Sequence, residues 1–559
     1  MAQNETETRT GVAFWAPMIA ASLALFIVVV DSTMMNVAVP TIVKDLNTNV
    51  SSVQGVISLY SLIMASLMLV GGKLGAIRGV KKIFIVGIII YGVGTLVAAI
   101  SWNITVLAIG WSLLEGIGAA MILPLAFALL VTNYGPREQA IGFGILGGVQ
   151  ASAAAVGPIL GGILTTYFTW RLGFAGEVLI AIAILPFTRY IVEKKTAEKG
   201  TTLDWTGALL SFVGLFSLVL GLILAGRYGW WDAKRPFMIG DIQANIFGLS
   251  PTPILVAFGL ALVVAFIHWQ IRREKKGQTP LVRMRVLGNW TFLTGVSANV
   301  FQSMVITGLL FVLPLYLQSA IGYSAFQSGL AILPFSIATF AVSLGTSSWG
   351  ERFAPKLLIQ IGVVLMALGT FLLYNVISIQ ITLGEMIIPL GVFGIGMGLL
   401  MAHLVNLILS SVNPDDSPEA SGVNNAMDQL GNSLGTAVVG SLLMAFFLGN
   451  VVSTVLTEAQ VESTSQDRAQ IVTAWEDARE TFTEAERKQF FESLPTEVQQ
   501  GLDEIADKAV VTAMEDVLLV IVGLLLIMFL LSTFLPKREE RKIPLAERVP
   551  DVASEEASG

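Results

Sequence analysis

The sequence predicts an all-α membrane protein with fourteen spans in a six, two, six order. Three observations carry that expectation: the composition is too apolar for a soluble chain, fourteen apolar runs are long enough to cross a bilayer, and basic residues collect on one side of them. Of 559 residues, 54% are hydrophobic and only 13% charged, with a mean hydropathy of +0.75. Soluble proteins keep about 25% charged residues facing water, so a chain this poor in charge has to face lipid. Its 54 glycines suit helices that pack closely in lipid.

A bilayer core takes about 20 apolar residues in a helix. Runs of that kind lie near 14–37, 53–72, 83–101, 104–131, 138–165 and 173–190, then 204–225 and 251–271. Six more lie near 291–318, 325–347, 357–378, 383–410, 420–447 and 511–535. The first twelve residues are polar with one base, Arg9, and no small-residue cleavage pattern follows, so the first run is read as a retained span.

Orientation follows from the bases. With the N-terminus in the cytoplasm, the inner loops hold Lys73, Arg78, Lys81 and Lys82, then Arg189 to Lys199, Arg272 to Arg285, and Arg352 with Lys356. The short outer loops hold only Lys44, Arg171, Arg227, Lys234 and Arg235. A missed span would invert that asymmetry. The expected organisation is a cytoplasmic tail at 1–13, a six-helix bundle at 14–190 and a linker with two extra spans at 191–285. A second bundle at 286–535 and a cytoplasmic tail at 536–559 follow. The second bundle includes an acidic extracellular loop at 451–508, rich in Asp and Glu, with apolar residues at loosely helical spacing that predict one or two amphipathic helices.

The residue inventory excludes several chemistries. There is no cysteine and only two histidines, His268 and His403, far apart. Thiol catalysis and cysteine or histidine metal sites are therefore out, and no metal or cofactor is expected. Gly71-Gly72-Lys73 lacks the spacing of a phosphate-binding loop, so no nucleotide is expected. Nor is a nucleic-acid surface, since topology accounts for the inner bases. An enzyme is not expected.

Five stretches carry a resemblance. They are Asp31-Ser32-Thr33 leading to Asn36-Val37-Ala38-Val39-Pro40; Gly144, Gly157-Pro158 and Gly161-Gly162; Trp170-Arg171 with Phe174; Asp204-Trp205-x-Gly207; and Gly422, Asn425, Gln429-Leu430-Gly431 with Leu434-Gly435. Together they resemble the fourteen-span drug/proton antiporter branch of the major facilitator superfamily, along nearly the whole chain outside the acidic loop. That resemblance implies the major facilitator fold, with two six-helix bundles, two extra transmembrane helices between them, and multidrug-efflux-like activity. It also implies a gating role for the glycine motif. Physically, Gly157, Gly161 and Gly162 leave one helix face without side chains, and Pro158 bends the helix.

The chain departs from the family at charged positions. Between the second and third spans, Gly72-Lys73-Leu74-Gly75-Ala76-Ile77-Arg78-Gly79 has Ala76 where the family has Asp. Ser112 stands in place of an Arg, Glu115 of a Gln, Glu177 of an Asn, and Asp428 where Arg is common. Membrane-embedded positive charge has been lost and negative charge gained.

A charged carboxylate at bilayer depth costs at least about 2.5–3.5 kcal/mol, so its presence points to function. Asp31, Glu115, Asn36, Glu177 and Asp428 are the candidate substrate- and proton-binding residues. By resemblance, the spans of Asp31 and Glu115 line the central path between the two halves. A carboxyl that releases its proton attracts a cation, and one that regains it lets the cation go. Structural duties remain open at this point: Asp31 bonding Asn36 or backbone, Glu115 pairing with Gln54 or Gln150. The candidate gating residues are Gly144, Gly157, Pro158, Gly161, Gly162, Gly72, Lys73, Arg78 and Gly79.

The resulting expectation is a monomeric exporter in the cell membrane that exchanges a lipophilic or cationic small molecule for protons by alternating access. The same sequence also suits a lipid or metabolite transporter, or a non-transporting sensor or scaffold.

Overall fold

The structure is a computed structural model that describes residues 11–48, 50–192, 203–231, 233, 237–239, 242–243, 248–458 and 496–536. Among them are fourteen helices long and apolar enough to cross a membrane. The first half contains α1 Val12–Asp45, α2 Val50–Arg78, α3 Val80–Ala99, α4 Ile104–Asn133, α5 Pro136–Tyr167 and α6 Arg171–Thr188. The middle pair is α7 Trp205–Tyr228 and α8 Pro251–Lys275. The second half contains α9 Trp290–Ser319, α10 Ala325–Thr346, α11 Pro355–Val376, α12 Leu383–Ser410, α13 Ser417–Glu458 and α14 Thr496–Ser532. A two-stranded hairpin, β1 Met238–Ile239 with β2 Ile242–Gln243, lies between α7 and α8.

Local chemistry sets the ends. Asn103 caps α4 by accepting from the Val106 amide, and Ser324 with Gln327 and Thr382 with Glu385 form reciprocal caps on α10 and α12. Pro136, Pro251 and Pro355 open helices where the missing N–H costs nothing. Gly79 separates α2 from α3 at φ 97°, a conformation that a side chain would strain.

In the first bundle α1 packs on α5, α6 and α4, while α3 packs on α4 and α6. In the second, α9 packs on α13 and α14, and α12 sits between α10 and α11. The bundles meet along two seams, α5 against α10 and α12, and α2 against α13. Helix α7 lies against α2 and α13, and α8 packs chiefly on α7. Asp204 ties that pair together: it caps α7 at the Gly207 amide and accepts from Trp269 Nε1 at 3.1 Å and Gln270 Nε2 at 3.0 Å of α8.

The acidic loop begins and ends as helix. Helix α13 continues to Glu458 and α14 starts at Thr496, so both spans project beyond bilayer thickness at 1.5 Å per residue. Of the 451–508 loop in which amphipathic helices were expected, residues 459–495 lie outside the described residues.

Candidate functional site, a buried triad of carboxylates

Asp31 of α1, Glu115 of α4 and Glu177 of α6 converge. Each offers a carboxylate oxygen, and these oxygens lie within 4.8 Å of one another. All three residues are buried, at 0%, 0% and 3% exposure. Asp31 Oδ2 accepts from Trp111 Nε1 at 2.8 Å, and Glu177 Oε2 accepts from the Tyr91 hydroxyl at 3.1 Å. The remaining oxygens, Asp31 Oδ1, Glu177 Oε1 and both of Glu115, are buried with no hydrogen-bond partner. Among the described residues no Lys, Arg or His pairs with any of the three.

Local backbone geometry brings them together. Residues Ala108–Glu115 of α4 are π-helical, a rare widening that recurs at functional sites. It carries Trp111 and Glu115 to the acids of α1 and α6. Helix α3 approaches α4 through glycines: a Cβ on Gly94 would lie 2.6 Å from the Glu115 amide nitrogen, and one on Gly110 2.6 Å from that of Ala98. Trp111 is wedged edge-on against Phe174 at 5.5 Å and beside Tyr60 at 6.1 Å. Ser112, where an arginine was expected, turns away and donates to the Val56 carbonyl at 2.7 Å.

Asp31 and Glu115 are fully buried within the first bundle, gathered with Glu177 beside α3 and α6. The next residues of α1, Thr33 and Met34, are taken up by α5: a Cβ on Gly157 would lie 1.9 Å from Thr33 Oγ1, and one on Gly161 2.6 Å from the Met34 carbonyl oxygen. Trp111 bonds Asp31, and Gln150 is not a hydrogen-bond partner of Glu115. Asn36 lies in α1, with its side chain outside the described part, as is that of Gln54.

Asp428 is in the other bundle. It accepts from Asn299 Nδ2 at 3.3 Å and from the Ser303 hydroxyl. Asn299 also reaches Asn424, and Thr307 donates to Asn432 at 2.7 Å. These form a ladder, 299, 303 and 307 facing 424, 428 and 432, whose four-residue spacing was present in the sequence.

The glycine motif divides its duties. Gly157 and Gly161 seat α5 on α1, while Gly144 faces the second bundle, where a Cβ would lie 2.6 Å from the Ser343 carbonyl oxygen. Ser343 in turn donates to the Gly144 carbonyl at 2.8 Å. Gly162 has open space around it. Pro158 lies inside α5.

Comparison with known proteins now decides the family. The model of the Major Facilitator Superfamily matches residues 21–436 and 296–550. The chain belongs to the Major Facilitator Superfamily.

Within that superfamily it is similar to a probable actinorhodin transporter of Streptomyces coelicolor, 27% identical over 94% of this chain and 92% of that one. It is also similar to the multidrug efflux pump LfrA of Mycolicibacterium smegmatis, 25% identical over 79% and 84%. The solved structure of the human organic anion transporter MFSD10 has a TM-score of 0.53 at 12% identity, covering 76% of this chain and 93% of that one. The protein is thus a multi-pass membrane transporter of the superfamily, with relatives named for efflux.

The superfamily loop between α2 and α3 acquires a different contact here. Ala76 cannot supply the family's acid, but Lys73 crosses to the second bundle and donates to Glu419 Oε1 of α13 at 2.6 Å, both side chains 2% exposed. The second Glu419 oxygen accepts the Arg283 amide at 3.1 Å. Arg283 and Arg285 bind Asp416, just before α13, at 3.0 and 2.5 Å, and hydrogen bonding to Asp416 raises the affinity of the Arg285 guanidinium for its proton. The backbones also meet: a Cβ on Gly72 would lie 2.3 Å from the Pro418 carbonyl oxygen. Arg78 is exposed. Sequence reading had placed Lys73 both among the topology-setting bases and among the gating candidates, and passed over Glu419.

At the opposite face, Trp170-Arg171 clamps α1 to α6. Trp170 Nε1 donates to Asp45 at 3.0 Å, Arg171 pairs with the same carboxylate, and Arg171 reaches the Ser101 carbonyl at 2.7 Å. The hydrogen bond from Arg171 holds the Asp45 carboxyl below the usual carboxylate range.

Proposed function

We propose that the protein exports a lipophilic, cationic small molecule from the cell in exchange for protons, as a monomer in the cell membrane with both termini cytoplasmic. The carrying observation is the buried triad, whose accumulated negative charge has no basic partner among the described residues. Three ionised carboxylates within 4.8 Å of one another in a low-dielectric interior repel strongly. The cluster therefore has to take up positive charge when closed. Protons serve when the site is shut. A passing cation competes for the same charge when the bundles part.

Trp111 and Tyr91 hold one oxygen of Asp31 and one of Glu177 by donating to them, which leaves the other oxygens and Glu115 to carry the exchanged proton. Opening requires α4 to move relative to α1, and the widened turn at Ala108–Glu115 is suited to that movement. On the second bundle, Asp428 with Asn299 and Ser303 supplies polar contacts to the cargo. The glycine face of α5 and the Lys73–Glu419 contact close the two seams. Export is the direction that the names of the relatives favour.

Everted membrane vesicles expressing the protein provide the test. An imposed acid-inside gradient should drive uptake of tetraphenylphosphonium, and Asp31→Asn or Glu115→Gln should abolish that dependence. Uptake that responds to the gradient equally in wild type and both variants would overturn the carboxylate mechanism.

A further inference from the structure

We infer that the triad is also a binding site for a hard divalent cation of the Ca2+ class, held between α1, α4 and α6. This rests on reading the triad as the place where the protein exchanges charge. Its own support is the donor set. Every available group is an oxygen: Asp31 Oδ1, both oxygens of Glu115 and Glu177 Oε1, each buried and unpartnered. A further hydroxyl lies there. Thr95 of α3, 0% exposed and without a hydrogen-bond partner, lies beside both Glu115 and Glu177. Tyr60, also fully buried, packs on Trp111 behind it. A threonine hydroxyl left without a partner among carboxylates is what a cation site would use and a purely structural core would avoid.

The spacing agrees. Ligand atoms around Ca2+ sit at about 2.3–2.6 Å, so two of them are at most about 5 Å apart, and the three carboxylate oxygens lie within 4.8 Å of one another. The other oxygens of Asp31 and Glu177 are fixed by Trp111 and Tyr91, the outer-shell support that orients ligating groups in metal sites. All-oxygen donors select a hard ion over Zn2+ or Cu2+. Enclosure selects Ca2+ over Mg2+, because Mg2+ gives up its waters reluctantly. A divalent ion and one proton would neutralise the three acids. The sequence excluded histidine and cysteine ligands; it could not show three acids on separate spans meeting at one point.

The test is equilibrium binding of radioactive 45Ca2+ to the purified full chain, alongside thermal unfolding in Ca2+ or Mg2+. We expect saturable 45Ca2+ binding that Glu115→Gln and Glu177→Gln each weaken by more than about tenfold and Thr95→Val by less than either. Wild-type protein should unfold at higher temperature with Ca2+ than with equal Mg2+, a readout independent of how the variants fold. Absence of saturable binding, or binding that the three variants leave unchanged, would overturn the inference. If Ca2+ fails to bind while tetraphenylphosphonium uptake keeps its triad-dependent response to the gradient, the cation site falls and proton exchange stands. Triad-dependent Ca2+ binding without that response leaves the cation site standing and removes proton exchange.

Discussion

Single residues decide what this protein can do, and they were unequally visible in the sequence. Asp31, Glu115 and Glu177 stand out because ionisable groups are rare in apolar runs. That they meet was not legible, since they sit on three spans far apart in the chain. Trp111 was passed over because tryptophan is ordinary in a membrane helix, although its ring nitrogen turns out to bond Asp31. Single atoms also distinguish the motif glycines. A side chain at 157 would run into Thr33, whereas one at 162 would meet nothing within 4 Å. Overpacking of that kind costs about 1–3 kcal/mol and displaces backbone. We therefore expect Gly157→Leu to abolish gradient-driven uptake and Gly162→Ala to leave it unchanged, at equal membrane levels of both proteins. Equal activity of the two variants would show that the contact with α1 is immaterial.

Among the elements, the α2–α13 seam is where sequence and structure part most instructively. The missing acid at Ala76 could be read directly and suggested a lost contact. The structure shows a substitute of opposite polarity, with a base on α2 and the acid on α13. It stayed hidden because a lysine next to a basic loop reads as a topology signal, and because its partner is 346 residues away. Removing one member of a buried pair leaves the other uncompensated, at about 3–5 kcal/mol. Glu419→Gln should therefore open this seam. The chain has no cysteine, so Ser421→Cys, at a position buried beside the seam, provides a clean reporter. Maleimide labelling there should accelerate in Glu419→Gln and slow again when Lys73→Glu is combined with Glu419→Lys. Labelling rates that ignore all these changes would remove the seam from the transport cycle.

At the scale of the molecule, hydropathy delivered the fourteen spans because the bilayer requires one apolar run per crossing. It did not deliver how far α13 and α14 extend, since helices continue in water on capping and packing rather than apolarity. Resemblance supplied the pairing of two bundles, which composition cannot show. Neither source gathered the three acids at one point inside the first bundle. That placement depends on which face of α1 the glycines of α5 occupy, a relation between helices. Under the proposed mechanism, charge buried in the first bundle is coupled to cargo through movement of α1 and α4. The most direct measurement is proton release from purified wild-type protein in weak buffer on addition of tetraphenylphosphonium. We expect saturable release that disappears in Glu115→Gln; release that persists unaltered in that variant would contradict the triad as the seat of exchange.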